Sequence, residues 1–333
     1  MADEVLSETL LLKRFRVTAR TVAWAFCGTL LGGALLLFPL LGLNPFILTL
    51  VIQGLIHGIW ALSLDLLVGQ TGLVSFGHAA WYGLGAYLAG WVAIHVTPEI
   101  TVGMVIAVVG SAILSLMAGI VITRLSGIAF AILTLATSQL MYNVVFKLSW
   151  ITGGEDGMSG VPPPRVFGHR LDFGAQFYWL TLFVLGVSML LTWHLARTPM
   201  GRAWNAIREN ERRAAFVGIR VSTQKLIVFA VSAALGSVAG VLQAYFRGAV
   251  SPEIMYWATS GQVLMYVIVG GVGTLVGPVV GAVFFIIVEH YVSSWAPEAW
   301  QVIFGALFML VVVGVPGGFG GLVRKFLWKR KGK

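Results

Sequence analysis

The chain has 333 residues, of which 58% are hydrophobic and only 11% charged, against roughly 25% charged in soluble domains. Its formal charge is +9 and its mean hydropathy +0.89. That balance excludes an ordinary soluble enzyme, and the placement of the charge, set out below, removes the case for nucleic acid.

Apolar runs of about 20 residues recur along the chain, the length that carries a helix across ~30 Å of hydrocarbon, and the short alternating segments of a membrane β-barrel are absent. The fold class is therefore an all-α polytopic membrane protein with about ten transmembrane helices. They fall at about 22–43, 46–68, 74–95, 101–123, 127–147, 175–195, 226–246, 257–270, 278–294 and 300–316. A membrane domain, 22–316, thus lies between an N-terminal segment, 1–21, and a basic tail, 317–333. The first run has no small-residue cleavage site and reads as an uncleaved helix. It holds Cys27, the single cysteine, so no intramolecular disulfide or cysteine metal cluster forms. With the N-terminus inside, 18 of the 22 basic residues fall on the cytoplasmic side: those of 13–20, Arg124, the loop 196–225 and the tail. Only Lys147, Arg165, Arg170 and Arg247 lie elsewhere. Such asymmetry obeys the positive-inside rule, puts both termini in the cytoplasm and explains the positive charge as topology.

The second span runs into GQTGLVSFGHAAWYGLGAYLAG (69–90), with six glycines at membrane depth. Glycine costs a helix about 1 kcal/mol relative to alanine. GQTGLVSFG therefore reads as a turn or broken helix entering from the cytoplasm. Gly72 and Gly77 permit the bend, and Ser75 and His78 satisfy freed backbone groups. Beyond it, Ala79 with Gly83 and Ala86 with Gly90 form a small-residue face that lets a neighbouring helix approach closely. His78 is assigned to holding the bend rather than to touching a solute.

In the fifth span Thr134, Ser138 and Tyr142 recur at four-residue spacing, with Gln139 and Asn143 beside them. Lipid cannot satisfy such groups, so they face protein or water. Interhelical hydrogen bonding is one reading; the number of polar groups on neighbouring faces favours a polar path. The following loop, 148–174, lies outside and contains TGGEDGMSGVPPP (152–164), a run of turn formers ending in a stiff proline segment.

The inside loop 196–225 reads RTPMGRAWNAIRENERRAAFVGIRVSTQK over 197–225. Thr198 is a natural N-cap, Pro199 suits the first helical position and Gly218 the left-handed position after the end. Ala203, Ile207, Ala214 and Val217 recur at helical spacing with Trp204 beside them, so one amphipathic helix over 199–217 is expected. Its apolar edge serves either anionic headgroups or a cytoplasmic partner. GGVGTLVGPVVGA (270–282) is a second glycine-rich interruption. Both interruptions fall on the cytoplasmic side, so they are not inverted counterparts.

Asp65 and Glu289 are the acids within spans, each near a span end; an ion-coupled transporter would use one of them. The histidines lack metal-ligand spacing, no P-loop sequence is present, and no serine, histidine and acid form a nucleophile motif. No catalytic or metal-binding constellation is expected.

Taken in order over about 45–320, several of these stretches resemble the permease subunits of branched-chain amino acid ABC importers of the LivM type. They are GQTGLVSFGHAAWYGLGAYLAG, SGIAFAILTLATSQ (126–139), TGGEDGMSG (152–160), TPMGRAWNAIRENERRAAFVGI (198–219), VSAALGSVAGVLQA (231–244) and GGVGTLVGPVVGA. Permeases for urea, amides and aromatic or carboxylic acids share the superfamily. The resemblance implies a bacterial inner-membrane subunit without enzymatic activity, whose inside helix is a coupling helix docking on an ATP-binding subunit. Ala203, Trp204, Ile207, Arg208, Glu211 and Gly218 are its expected contacts. Family loops carry Glu-Ala-Ala before a glycine; here Arg212 and Arg213 intervene between Glu211 and Ala214. The resemblance also implies a second homologous permease, two ATP-binding subunits and a periplasmic binding protein that meets the outer loop. This chain would bind no cofactor, ATP and Mg being used by the partner subunits.

Overall fold

The computed structural model describes residues 44–314 and 317–321, together with Pro39. The expected segment 1–21, the span 22–43 and the basic residues of the tail lie outside the described residues. The chain divides into two units, Met1–Leu48 and Thr49–Lys333. All packing below concerns the second.

The helices are α1 (Pro45–Thr71), α2 (His78–His95), α3 (Ile100–Ile122), α4 (Gly127–Lys147), the single turn α5 (Ser149–Thr152), α6 (Ala175–Arg197), α7 (Pro199–Glu209), α8 (Glu211–Phe216), α9 (Val221–Arg247), α10 (Trp257–Gly270), α11 (Gly277–Trp295) and α12 (Trp300–Gly314). Among the described residues six of them, α1, α3, α4, α6, α9 and α11, are long and apolar enough to cross a membrane. The count of about ten is not confirmed: the first expected span lies outside the described residues, and three of the other nine are shorter or less apolar. At 1.5 Å per residue, the 14 residues of α10 and 15 of α12 reach only about 21–23 Å, short of a full crossing. The 18 residues of α2 begin only after the non-helical stretch 72–77 has entered the fold.

Helices α1 and α9 form the centre: 67% and 72% of their apolar windows are buried, against 22–28% for α3, α4 and α6. The outer helices instead expose apolar side chains such as Val105, Ile113, Ile132 and Leu190, the faces suited to lipid. Side chains do not set the spacing of α2 and α9. A Cβ on Gly85 would collide with the backbone of Ser237, and one on Gly240 with the carbonyl of Tyr82. Likewise α1 meets α11 through Gly54 against Val283 and Gly58 against Val279. The small-residue face foreseen on α2 is thus used, though by a different set: Gly83 packs on Met255, in the turn Pro252–Met255, and Gly90 faces Val250 and Val161.

The loop 148–174 modifies the all-α expectation slightly. Met158–Ser159 (β1) pairs antiparallel with Ala249–Val250 (β4), and Arg165–Val166 (β2) with His169–Arg170 (β3). Gly153, Gly154, Gly157 and Gly160 all take positive φ, which stops helix and lets Gly157 lie on the Val250 carbonyl.

Gly85→Val is expected to lower the thermal midpoint of the purified protein sharply, since overpacking against backbone costs about 1–3 kcal/mol or more. Gly186→Ala in α6, where an added Cβ meets nothing within 4 Å, is expected to leave it unchanged or raise it slightly; equal midpoints for the two variants would refute the close α2–α9 contact.

Candidate functional site

The bend between α1 and α2 is built from side chains that bond backbone. Thr71 and Gly72 close α1, Gly72 at φ +74°. Ser75 is fully buried and accepts from Gly77 N at 3.3 Å. Phe76 N donates to Thr134 Oγ1 at 3.1 Å and Ala79 N to Ser260 Oγ at 2.9 Å. A Cβ on Gly77 would strike the Thr134 carbonyl. His78, 1% exposed, bonds Ser63 of α1 through Nε2 at 2.8 Å. Because the Ser63 hydroxyl already donates to Trp60 O at 2.6 Å, its one proton is spent and His78 Nε2 is the donor. His78 therefore fastens the start of α2 to the middle of α1 through a hydroxyl, not to the freed backbone groups of the bend.

The polar stripe of α4 divides. Thr134 holds Phe76 N and donates to Ala131 O at 2.8 Å; Ser138 donates to Met255 O at 2.8 Å, and both are buried. These two serve the irregular segments 72–77 and 252–255. Gln139 and Tyr142 are half-buried and Asn143 exposed. Tyr142 meets Tyr256 edge-on with centroids 5.5 Å apart, and Asn143 Nδ2 donates to Gln139 O at 2.8 Å.

The loop 196–225 is two helices, not the single one expected over 199–217. Thr198 caps α7 through Gly201 N as foreseen. Asn210 then leaves helical geometry (φ −161°, ψ 107°) and caps α8, accepting from Arg213 N at 2.9 Å. An asparagine side chain competes for backbone donors, so the amphipathic pattern breaks there. Trp204 and Ile207 are 0% and 4% exposed. Trp204 packs among Leu66, Trp81, Phe130, Val228 and Phe229, so it anchors the loop on this chain and offers no surface to a partner. Ala203 is half-buried.

Two clamps flank the Asn210 break. On the α7 side, Arg208 Nη1 donates to the carbonyl of Gly69 at the end of α1, and Asn205 Nδ2 donates to Gln70 Oε1 at 3.1 Å. On the α8 side, Glu211 pairs with Lys225 of α9 at 2.6 Å and accepts from Ser126, before α4, at 2.9 Å. Lys225 is 1% exposed and also reaches Ser126 Oγ at 2.9 Å and Leu125 O at 3.4 Å. Gly218 follows α8 at φ +88° in open space. The loop's exposed residues include Arg202, Arg208, Glu209, Arg212, Arg213, Ala215, Phe216 and Val217, with Phe216 91% and Val217 73% accessible. The two glycine interruptions meet here as well. A Cβ on Gly69 would lie 2.8 Å from Gly273 Cα, and Gly273 N donates to Asp65 Oδ1 at 2.7 Å.

The family described as branched-chain amino acid transport system / permease component matches residues 46–312. The chain belongs to that family. The permease is 28% identical over 302 residues to the high-affinity branched-chain amino acid transport system permease protein LivM of Salmonella typhimurium, covering 84% of this chain and 71% of the relative. It matches LivH of Escherichia coli K12 at 25% over 290 residues, covering 81% and 93%. The autoinducer 2 import system permease protein LsrC of Photorhabdus laumondii aligns at 26% over 54% of each chain. No solved structure matches it. The permease is a multi-pass inner-membrane transport subunit and not an enzyme.

Sequence reading missed Lys225, Ser126 and Phe216 as parts of the loop's design. Lys225 was visible only as one more cytoplasmic cation, and its burial depends on the α3–α4 turn folding beside it. Glu211→Ala in the permease leaves the buried Lys225 ammonium with Ser126 Oγ and Leu125 O but no counter-charge, and is expected to cost about 1–3 kcal/mol. A thermal-unfolding double-mutant cycle with Lys225→Met should return part of that loss; additive losses would show that the pair is uncoupled.

Proposed function

We propose that this chain forms half of the translocation path of an ATP-binding cassette importer for branched-chain or related amino acids. It pairs with a second homologous permease and two ATP-binding subunits, which use ATP and Mg, and receives solute from a periplasmic binding protein at the outer loop 148–174. Both termini are cytoplasmic, and this chain holds no cofactor. The observation that carries the reading is the loop of α7 and α8: bonded to α1, to Ser126 before α4 and to α9 of its own chain, it presents Phe216 and Val217 outward, 91% and 73% exposed. Exposed aromatic and branched side chains ringed by arginine suit insertion into a partner's groove.

In this reading the contact to the ATP-binding subunit is made by the end of α8, with Arg212 and Arg213 at its rim, while Trp204, Ile207, Arg208 and Glu211 hold the loop to the membrane domain. Closure of the ATP-binding subunits pushes α8, and the two clamps deliver that displacement to α1 and to the α4–α9 pair. Gln139, Tyr142 and Asn143 contribute to the path's wall; Thr134 and Ser138 support it from behind. The solute class follows the printed names of the LivM and LivH relatives.

Phe216→Asp combined with Val217→Asp is expected to cut amino acid uptake by the reconstituted importer at least about tenfold while ATP hydrolysis continues, the energetic equivalent of losing ~1.4 kcal/mol of contact. Trp204→Ala is expected instead to lower the yield of assembled protein, as a large buried aromatic costs about 3–5 kcal/mol to remove. Undiminished uptake by the Phe216/Val217 double variant overturns the assignment of α8.

A further inference from the structure

Away from the loop, α1, α2, α9, α10 and α11 converge on a cluster of rings that no clamp uses. His57 of α1 is its hub, with ring centroids 5.9 Å from Trp60, 6.1 Å from Tyr82 of α2 and 6.0 Å from Tyr266 of α10. Trp60 and Tyr82 stack 4.2 Å apart with planes 13° from parallel, and Tyr266 continues to Phe285 of α11 at 5.7 Å. His57 Nδ1 is engaged with Gln53 O at 2.9 Å.

Packing alone accounts for a bed of rings, but not for its polar atoms. Trp60 Nε1, the Tyr82 hydroxyl and Gln243 Oε1 are buried without a hydrogen-bond partner, on residues only 0%, 2% and 7% exposed. Each unmet buried group costs about 1–3 kcal/mol, and two of these, Trp60 Nε1 and the Tyr82 hydroxyl, belong to the stacked pair itself, where a polar ligand would satisfy them.

Two opposite charges stand at the outer side of this bed. Arg247 lies one turn beyond Gln243 on the α9 stripe Gly236, Gly240, Gln243, Arg247, whose inner members face His78 and Tyr82. Glu289 lies one turn beyond Phe285 on α11, the residue that meets Tyr266. Arg247 is within electrostatic reach of His57, Tyr82 and Glu289, and Glu289 of Tyr266. The two nevertheless do not close to 4 Å; among the described residues the one ion pair is Lys225 with Glu211. A cation and an anion held apart near these rings offer one partner each to a carboxylate and an ammonium, and the rings would receive an aliphatic side chain.

We propose that Arg247 and Glu289, near the Trp60, Tyr82 and Tyr266 rings, form a transit site for the zwitterionic head of an α-amino acid, carboxylate on Arg247 and ammonium on Glu289. The class of solute rests on the functional reading above; the residues and their division of labour do not. Binding of tritiated L-leucine to the nucleotide-free importer in nanodiscs, without binding protein, tests the site. Competitors are 4-methylpentanoate, which lacks the ammonium, and 3-methylbutylamine, which lacks the carboxylate. The wild type is expected to prefer leucine to either by about tenfold or more, each missing charge forfeiting ~1.4 kcal/mol. Glu289→Gln erases the preference over the acid, and Arg247→Gln the preference over the amine. Should a glutamine variant not assemble, Glu289→Asp or Arg247→Lys replaces it, and the same competitor is expected to gain ground on leucine. Wild-type importer that takes up leucine with its binding protein and ATP but shows no saturable binding here, or the same preferences in both variants, overturns the site alone. Failure of wild-type uptake overturns the functional reading, and the site with it.

Discussion

The contact on which this fold depends is backbone against backbone, where α2 crosses α9. Gly85 lies on Ser237 and Gly240 on the Tyr82 carbonyl, with no room for a Cβ on either side. Between membrane helices there is little hydrophobic driving force, because lipid is as apolar as the partner, so close approach and hydrogen bonding must supply the attraction. Both are concentrated at this level. Ser63 takes the His78 imidazole and donates to Trp60 O, while Ser232 donates to Ser63 O at 2.5 Å. Three helices are thereby pinned within one layer, and the bend that starts α2 can sit deep in the protein because that layer receives it.

Much of this was legible in the sequence, because glycine and its neighbours leave a local signature. The interruption within 69–90 and the Thr198 cap follow from single-residue backbone preferences, whereas α2 starts at His78 and α9 at Val221 rather than at the expected 74 and 226. The position of the stop is a finer matter. Gly69 keeps helical geometry and α1 runs on to Thr71, since Gly72 is the residue with positive φ. What the sequence could not disclose is where a polar side chain spends its bond. Thr134, Ser138 and Tyr142 share one helical period, yet the first two are consumed by Phe76 N and Met255 O, partners 58 and 117 residues away. A polar stripe in a span carries the same letters whether it faces a solute or satisfies a neighbouring irregular segment.

The α7–α8 loop shows the converse failure. Hydrophobic period argued for one helix, and the period is present; but Asn210 gains a capping bond to Arg213 N that an interior position would forfeit. The break matters because it turns one rod into two, each bonded to a different part of the bundle. It also inverts the roles expected of the apolar residues. Trp204 and Ile207 face inward, since the loop lies against the domain, and the outward surface passes to Phe216 and Val217 beyond the turn.

The clamp on the α7 side reaches further than its own contacts. Arg208 holds the Gly69 carbonyl, Gly69 abuts Gly273, and Gly273 N is held by Asp65. The segment 317–321 closes on the same place, Gly318 against Val269 O and Gly320 against Thr274. Residues 270–274, the turn between α10 and α11, therefore have little freedom to move independently of α7 and the end of α1. Every bond in that chain ends on glycine backbone, where a longer side chain would have pushed the partners apart. From Gly277 the helix α11 runs unbroken to Trp295 and so connects this turn to Glu289, as α10 connects it to Tyr266. The α7–α8 loop and the aromatic cluster are thus linked through α10 and α11 and the glycine contact at their foot, where Asp65, an acid near a span end in the sequence, holds Gly273 N.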